Sequence, residues 1–402
     1  MAGTTVSIAP EILNWVLEKV QLGNVNHSVL DLLNKWKTGE KVPTFNQIEE
    51  VSKKINIPFG YFFLEKPPVE NCRIVEYRTV DSLTVQEPSR NLIDIVDMMT
   101  DAQEWMIEYV QDNGQEPLSF VACDKNEKAA SVIAEHIRNT LKLDTVWFKS
   151  SKNAAESFRI IRHRLENAGI MVMMSGTVGS NTHRKLSVDE FRAFTLVDPY
   201  VPLIFINVCD SDNGKLFSLL HETAHIWLGT DSFYNEPYGS DHKVSTVEVL
   251  CNAVAAELLV PESVFMDQWN QTGGTTLTRT EELAKYFKCS KYVIIRRALD
   301  YQKVTSEQYN EIIHILQKQY NNWKVNQLQE KESGGNYYRT LGSKLDHRFV
   351  NALAQSAREG RTQYTEVYHL TSTNRKTFSR LVDEIGGAKW WAKIIWDFRL
   401  SF

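Results

Sequence analysis

Apolar positions recur at helical spacing along most of the chain. Residues 10–20, "PEILNWVLEKV", place Pro10 where a first helical turn tolerates it and carry their apolar side chains on one face. A second short helix is expected at 28–36. In "NKWKTGEKVPTFNQIEEVSKKINIPFGYFFLEKPP", Gly39 and Pro43 punctuate, Thr44 can cap, and Phe45, Ile48, Val51 and Ile55 form a stripe. Pro67-Pro68 closes that unit. Helices are predicted over 89–113, 126–142 and 152–168, the last stopped by Gly169. The period then changes. "IMVMM" at 170–174, "FRAFTLV" at 191–197 and "PLIFINV" at 202–208 are short β-like runs, with Asp198-Pro199 as a turn between the last two. Helical spacing returns at about 215–229, followed by a polar loop over 230–243 and a helix at 245–259 that Pro261 halts. Residues 280–300 form two short helices around Cys289-Ser290, residues 305–331 a long polar helix, and 345–385 further helix. The fold class is therefore α+β, mostly helical, with a small sheet near the middle of the chain.

Length and composition refine this outline. At 402 residues, several domains are expected: 1–70, 71–150, 151–265, 266–331 and 332–402, with "ESGGNYY" at 332–338 as a hinge. Hydrophobic residues at 43% and charged residues at 24% are those of a globular protein with a real core. A net charge of −5 argues against a surface built to coat nucleic acid. The five cysteines are far apart and form no C-x-x-C pair, which excludes a disulfide framework or a cysteine zinc knuckle. The first residues lack the basic and apolar regions of a signal peptide, and the most apolar run is too short to span a bilayer. A reducing, cytoplasmic location without membrane contact is expected.

The stretch "LFSLLHETAHIWLG" carries the chemistry. His221 and His225 are four residues apart, so their imidazoles share one helix face and can reach one metal ion. Glu222 lies beside them, placed to take a proton from water. The bland alternative is a surface helix with two solvated histidines. A catalytic zinc needs a third protein ligand. The residues three and six positions after His225 are Leu228 and Asp231, which excludes the metzincin spacing. Asp231 is one candidate third ligand. Glu248 is the other: on the next helix Glu248, Cys251, Asn252, Ala255 and Ala256 make one stripe, and a carboxylate with an amide on an otherwise apolar face calls for a polar partner. Glu248 could also serve only to favour its helix N-terminus. Glu257 lies on another face, as a structural ion pair.

These segments resemble the ImmA/IrrE family of metallopeptidases. "KLFSLLHETAHIWLG" is followed by "EVLCNAVAAELLVP", which fits that family's E-x-x-x-N-x-x-A-A-E-L-L-x-P segment, and "FTLVDPYVPLIFINV" fits its strand pair before the zinc helix. The resemblance covers about residues 150–265. It departs at Cys251 and Val254, where a small residue and an aromatic are usual. It implies a zincin-like core, His221, His225 and Glu248 as zinc ligands, and Glu222 as general base. It further implies a regulatory endopeptidase that cuts one partner protein, a transcriptional repressor, in a stress-response, mobile-element or toxin–antitoxin setting.

The first 70 residues resemble an Xre-type helix-turn-helix module, with Trp36, Gly39, Pro43 and Thr44 in its W-x-x-G-x-x-x-P-T signature. The stretch that would carry the recognition helix, "VQLGNVNHSVLDLLNKW", is apolar and nearly free of Arg, Gln and Ser, where DNA readers usually place basic and amide side chains. DNA contact and protein docking or dimerisation both remain open for this unit, and no DNA-binding residue is assigned. A second basic set, Lys285, Lys288, Lys291, Arg296 and Arg297, could meet DNA or acidic protein, or form a solvated helical face. Tyr234, Tyr238 and His242 are candidate donors to the oxyanion of a tetrahedral intermediate, and the strand at 202–208 or 191–197 could pair with an extended substrate. A different class of function is an Xre-type DNA-binding regulator or antitoxin that acts by binding, without proteolysis. The aromatic tail with Trp390, Trp391 and Trp396 would dock on the rest of the chain, a second subunit or a partner such as a toxin.

Overall fold

The computed structural model describes residues 4–21, 27–68, 88–234, 246–327 and 342–386. By its contacts the chain divides into two compact units, one formed by Met1–Cys72 with Glu87–Ile93 and the other by Arg73–Gln86 with Asp94–Phe402. The hinge at 332–338 and the aromatic tail lie outside the described residues.

The smaller unit contains α1 (Pro10–Gln21), α2 (His27–Lys37), α3 (Phe45–Ile55) and a 3-10 turn at Phe59–Phe63. Of the expected stripe on α3, Ile48, Val51 and Ile55 fold inward and join Ile12, Val16, Leu33, Trp36 and Phe62, whereas Phe45 is 46% exposed, against Phe59 and Phe63. Thr44 caps α3 as its sequence implies. Its hydroxyl accepts from the Gln47 N–H at 3.4 Å, and Gln47 Oε1 accepts from the Thr44 N–H at 3.1 Å.

The larger unit takes in α4 (Arg90–Asp112) from Asp94 onward, then α5 (Ala130–Leu141), α6 (Ala154–Ala168), β1 (Met171–Ser175), β2 (Ala193–Leu196), β3 (Leu203–Asn207), α7 (Asp212–Leu228) and β4 (Ser232–Tyr234). After these come α8 (Thr246–Leu259), α9 (Glu262–Gln271), α10 (Thr276–Phe287), α11 (Lys291–Asp300), α12 (Ser306–Gln327), α13 (His347–Arg358), α14 (Tyr364–Thr371) and α15 (Arg375–Gly386). Two of these elements depart from the sequence outline. Pro261 ends α8 but also stands at the N-cap of α9, so helix resumes at once. β4 lies inside the span expected to be loop.

The sheet order is β1-β3-β2-β4. β1 pairs with β3 in parallel, while β2 pairs antiparallel with both β3 and β4. β2 and β3 are buried at every position, which is why they read as unbroken apolar runs. One face, with Val172, Ala193, Ile204 and Ile206, joins the core of α6, α7 and α8. On the other face Phe194 stacks on Phe205 at 5.0 Å. The core is continuous from Ile133 to Leu316, so the boundaries expected at 150 and 265 do not interrupt it. The last helices are tied to the sheet as well. Arg162 of α6 donates to Leu345 O at 2.8 Å, and the Val172 N–H donates to Asp346 Oδ2 at 3.3 Å. Among the described residues no single helix is long and apolar enough to cross a membrane.

The basic set at 285–297 does not act as one face. Arg297 is buried, pairs with Glu257 and donates to Val260 O at 2.8 Å. Lys291 pairs with Glu281 at 2.6 Å and Arg296 with Asp300 at 2.9 Å. Glu257 thus has the structural role expected of it.

Candidate metal centre

α7 positions the first half of the site. Ser211 caps it, with Oγ accepting from the Gly214 N–H at 3.1 Å. Gly229 ends it with φ 69°, and a Cβ there would meet Ala122 Cβ at 2.5 Å, so both backbone and space call for glycine. Every residue from Leu216 to Leu228 is buried. This rules out the surface helix with solvated histidines: His221 is 0% exposed and His225 1%. Such a helix must be apolar all round, or its polar groups must be partnered.

The histidines are partnered. His221 Nδ1 lies 3.0 Å from Asn252 Oδ1, and His225 Nδ1 lies 2.9 Å from Thr230 Oγ1. An amide oxygen only accepts, so Nδ1 of His221 carries the proton and Nε2 is left with its lone pair. Thr230 can accept from His225 Nδ1 in the same way. The two Nε2 atoms approach to 3.2 Å. Glu248, in the first turn of α8, brings Oε2 to 3.0 Å from His221 Nε2 and Oε1 to 3.4 Å from His225 Nε2. His221, His225 and Glu248 therefore offer ligand atoms within 4.8 Å of one another. In the tautomer with both Nδ1 atoms protonated, which these partners can accept, all the converging atoms are lone-pair donors, a set that fits a cation. Burial works against the charge of Glu248; where the two imidazoles are instead protonated at Nε2, with no ion between them, their hydrogen bonds and charges outweigh burial and hold this carboxyl well below the usual carboxylate range.

Asp231, the other candidate third ligand, is engaged elsewhere. Its Oδ1 accepts from the Val197 N–H at 2.6 Å and secures the approach of β4 to β2. It is not in the converging group found among the described residues.

Glu222 is fully buried. Its Oε2 accepts from Thr195 Oγ1 at 2.6 Å and from Ser232 Oγ. Its Oε1 is buried and has no hydrogen-bond partner among the described residues. Burial pushes the carboxyl up to about 7, against the opposing pull of His225 when that ring is charged and of the two hydroxyls. Thr195, Ser232, Thr230 and the partnership of Asn252 with His221 were not singled out in the sequence. Asn252 alone left a trace there, as a polar member of an apolar stripe.

The oxyanion candidates are less defined. Tyr234 belongs to β4, and Tyr238 and His242 lie outside the described residues. The expected substrate-pairing strands are corrected. β2 and β3 each have a neighbour on both sides, so neither has an open edge; β1 and β4 are the outer strands.

Comparison with known proteins agrees with this geometry. Residues 165–299 match the family model of the IrrE N-terminal-like domain, from the end of α6 through α11. The match thus continues past 265, where the sequence resemblance was drawn to a close. Residues 345–384 match a family model described as a domain of unknown function. The radiation response metalloprotease IrrE of Deinococcus radiodurans is 34% identical over 82 residues, which is 19% of this chain and 25% of that protein. The shared stretch is thus a quarter of the relative's length. The family model thus covers the stretch that carries His221, Glu222, His225 and Glu248, and the similarity is to that domain rather than to the relative's whole length.

Proposed function

We propose that the chain is a zinc-dependent regulatory endopeptidase that cleaves one partner protein, a transcriptional repressor, at a single bond. His221, His225 and Glu248 would hold the ion. The convergence of their ligand atoms, with both imidazoles oriented through Nδ1, is the observation that carries this assignment. Zinc bound there supplies Lewis acidity, which lowers the pKa of water and polarises a carbonyl oxygen. The chain's own part falls to Glu222. Its carboxylate, beside the two imidazoles and with Oε1 unpartnered among the described residues, can take a proton from the attacking water and hand it to the leaving amine. The enclosure of α7 keeps bulk water from this proton path.

An extended substrate can add to β4, whose outer edge has no strand partner among the described residues and whose inner neighbour carries Thr195. The smaller unit and the C-terminal helices are the parts left to select the partner.

The test is to incubate the purified protein, loaded with zinc, with each repressor that its neighbouring genes encode and to follow cleavage by mass spectrometry. Wild type should yield two fragments from one bond. Glu222→Gln should retain zinc and yield none. Fragments from Glu222→Gln at the wild-type rate would remove Glu222 as the base, and an intact repressor with wild type would remove the assigned substrate.

A further inference from the structure

The carboxylate of Glu222 is held unequally, and the holding residues come from the sheet rather than from the helix that carries it. Thr195 on β2 and Ser232 on β4 are direct partners in the antiparallel register. Opposite residues in such a pair project to the same face. Both hydroxyls donate to one oxygen, Oε2, and both residues are buried, at 0% and 3% exposure. A carboxylate oxygen has two lone pairs in its plane, so Oε2 is fully used. Oε1 is buried and receives no hydrogen bond from any described residue.

We propose that Thr195 and Ser232 are positioning residues that clamp Oε2, so that Oε1 alone receives the proton. This rests on the peptidase function proposed above. In the step, a water O–H bond breaks and its proton goes to Oε1 while the water oxygen bonds to the scissile carbonyl carbon. The proton then passes from Oε1 to the leaving nitrogen as the C–N bond breaks, and Glu222 returns to its starting state. The clamp also makes base alignment depend on the β2–β4 pairing. A slip of β4 by one residue would turn Ser232 to the opposite face and leave Thr195, held by the β2–β3 pairing, alone at Oε2.

The experiment combines Thr195→Val, which keeps shape and removes the hydroxyl, with Ser232→Ala and the conservative Thr195→Ser. Zinc content and KM should match wild type in all three. kcat should fall by about 10-fold to 100-fold in the first two, within what general-base catalysis contributes, and recover in Thr195→Ser. A second measurement needs no turnover. In chelator-treated protein, urea midpoints are compared for Thr195→Val, Ser232→Ala, Glu222→Ala and the paired variants. Removing either hydroxyl should lower the midpoint when Glu222 is present and should do so far less in the Glu222→Ala background. Additive midpoint shifts would overturn the clamp whether or not the protein proves to be a peptidase. Wild-type kcat in both hydroxyl variants, or a Thr195→Ser protein as slow as Thr195→Val, would overturn it as well.

Discussion

The two helices that meet at the metal centre are built differently. α7 is enclosed from Leu216 to Leu228, and its histidines have almost no exposure. α8 opens at Thr246 with exposed positions, and the side chain of Glu248 keeps 29% of its surface. Neutral imidazoles can be buried at modest cost once Nδ1 is hydrogen-bonded, whereas a carboxylate loses far more on leaving water. The neutral ligands are thus fixed by packing, and the charged ligand arrives from a half-open first turn. One side of the site is therefore a rigid template, while the other can respond to a metal ion.

Substitutions at matched positions test that contrast. Leu219 is fully enclosed on α7, so Leu219→Ala should cost about 2–5 kcal/mol in urea unfolding, through lost burial and a cavity. Loss of below 1 kcal/mol would mean that α7 is not the template described. Next is Asn252→Ala, which frees His221 Nδ1 without touching a ligand. Zinc affinity in competition titrations should fall about 10-fold to 100-fold, and an unchanged affinity would show that the 3.0 Å contact orients nothing. Ser211→Ala removes the cap of α7 and should cost about 1 kcal/mol in the same unfolding assay, with zinc affinity retained. At the other extreme, Val249 is 56% exposed on the first turn of α8 beside Glu248. Val249→Ala should change stability by less than about 0.5 kcal/mol, and a larger loss would place that turn inside the core.

Local spacing made part of this molecule legible in the sequence. His221 and His225 four apart, and Glu248 with Asn252 four apart, each put two polar groups on one helix face. The helices over 10–21, 154–168 and 246–259 and the three apolar strands follow from periodicity and from their stops. What was hidden depends on strands meeting across the sheet. Thr195 and Ser232 look like ordinary polar residues in their own segments, and only the β2–β4 register joins them at Glu222. Strand order was hidden for the same reason, so β2 and β3 looked available to a substrate when β4 closes one and β1 the other. The burial of α7 was obscured because His, Glu and Thr in a helix read as a solvated face. Their partners lie on other elements, and those partners are what allow the burial. α9 went unseen because a proline that ends one helix can also start the next.

The most direct test of the central claim is calorimetric zinc titration of metal-free protein, comparing wild type with Glu248→Ala and Asp231→Ala. The three-ligand centre predicts one zinc per chain for wild type and an unchanged affinity for Asp231→Ala. For Glu248→Ala it predicts a loss greater than the roughly 100-fold expected when only an outer partner is removed. Wild-type affinity in Glu248→Ala, or no zinc binding by the wild-type chain, would contradict it.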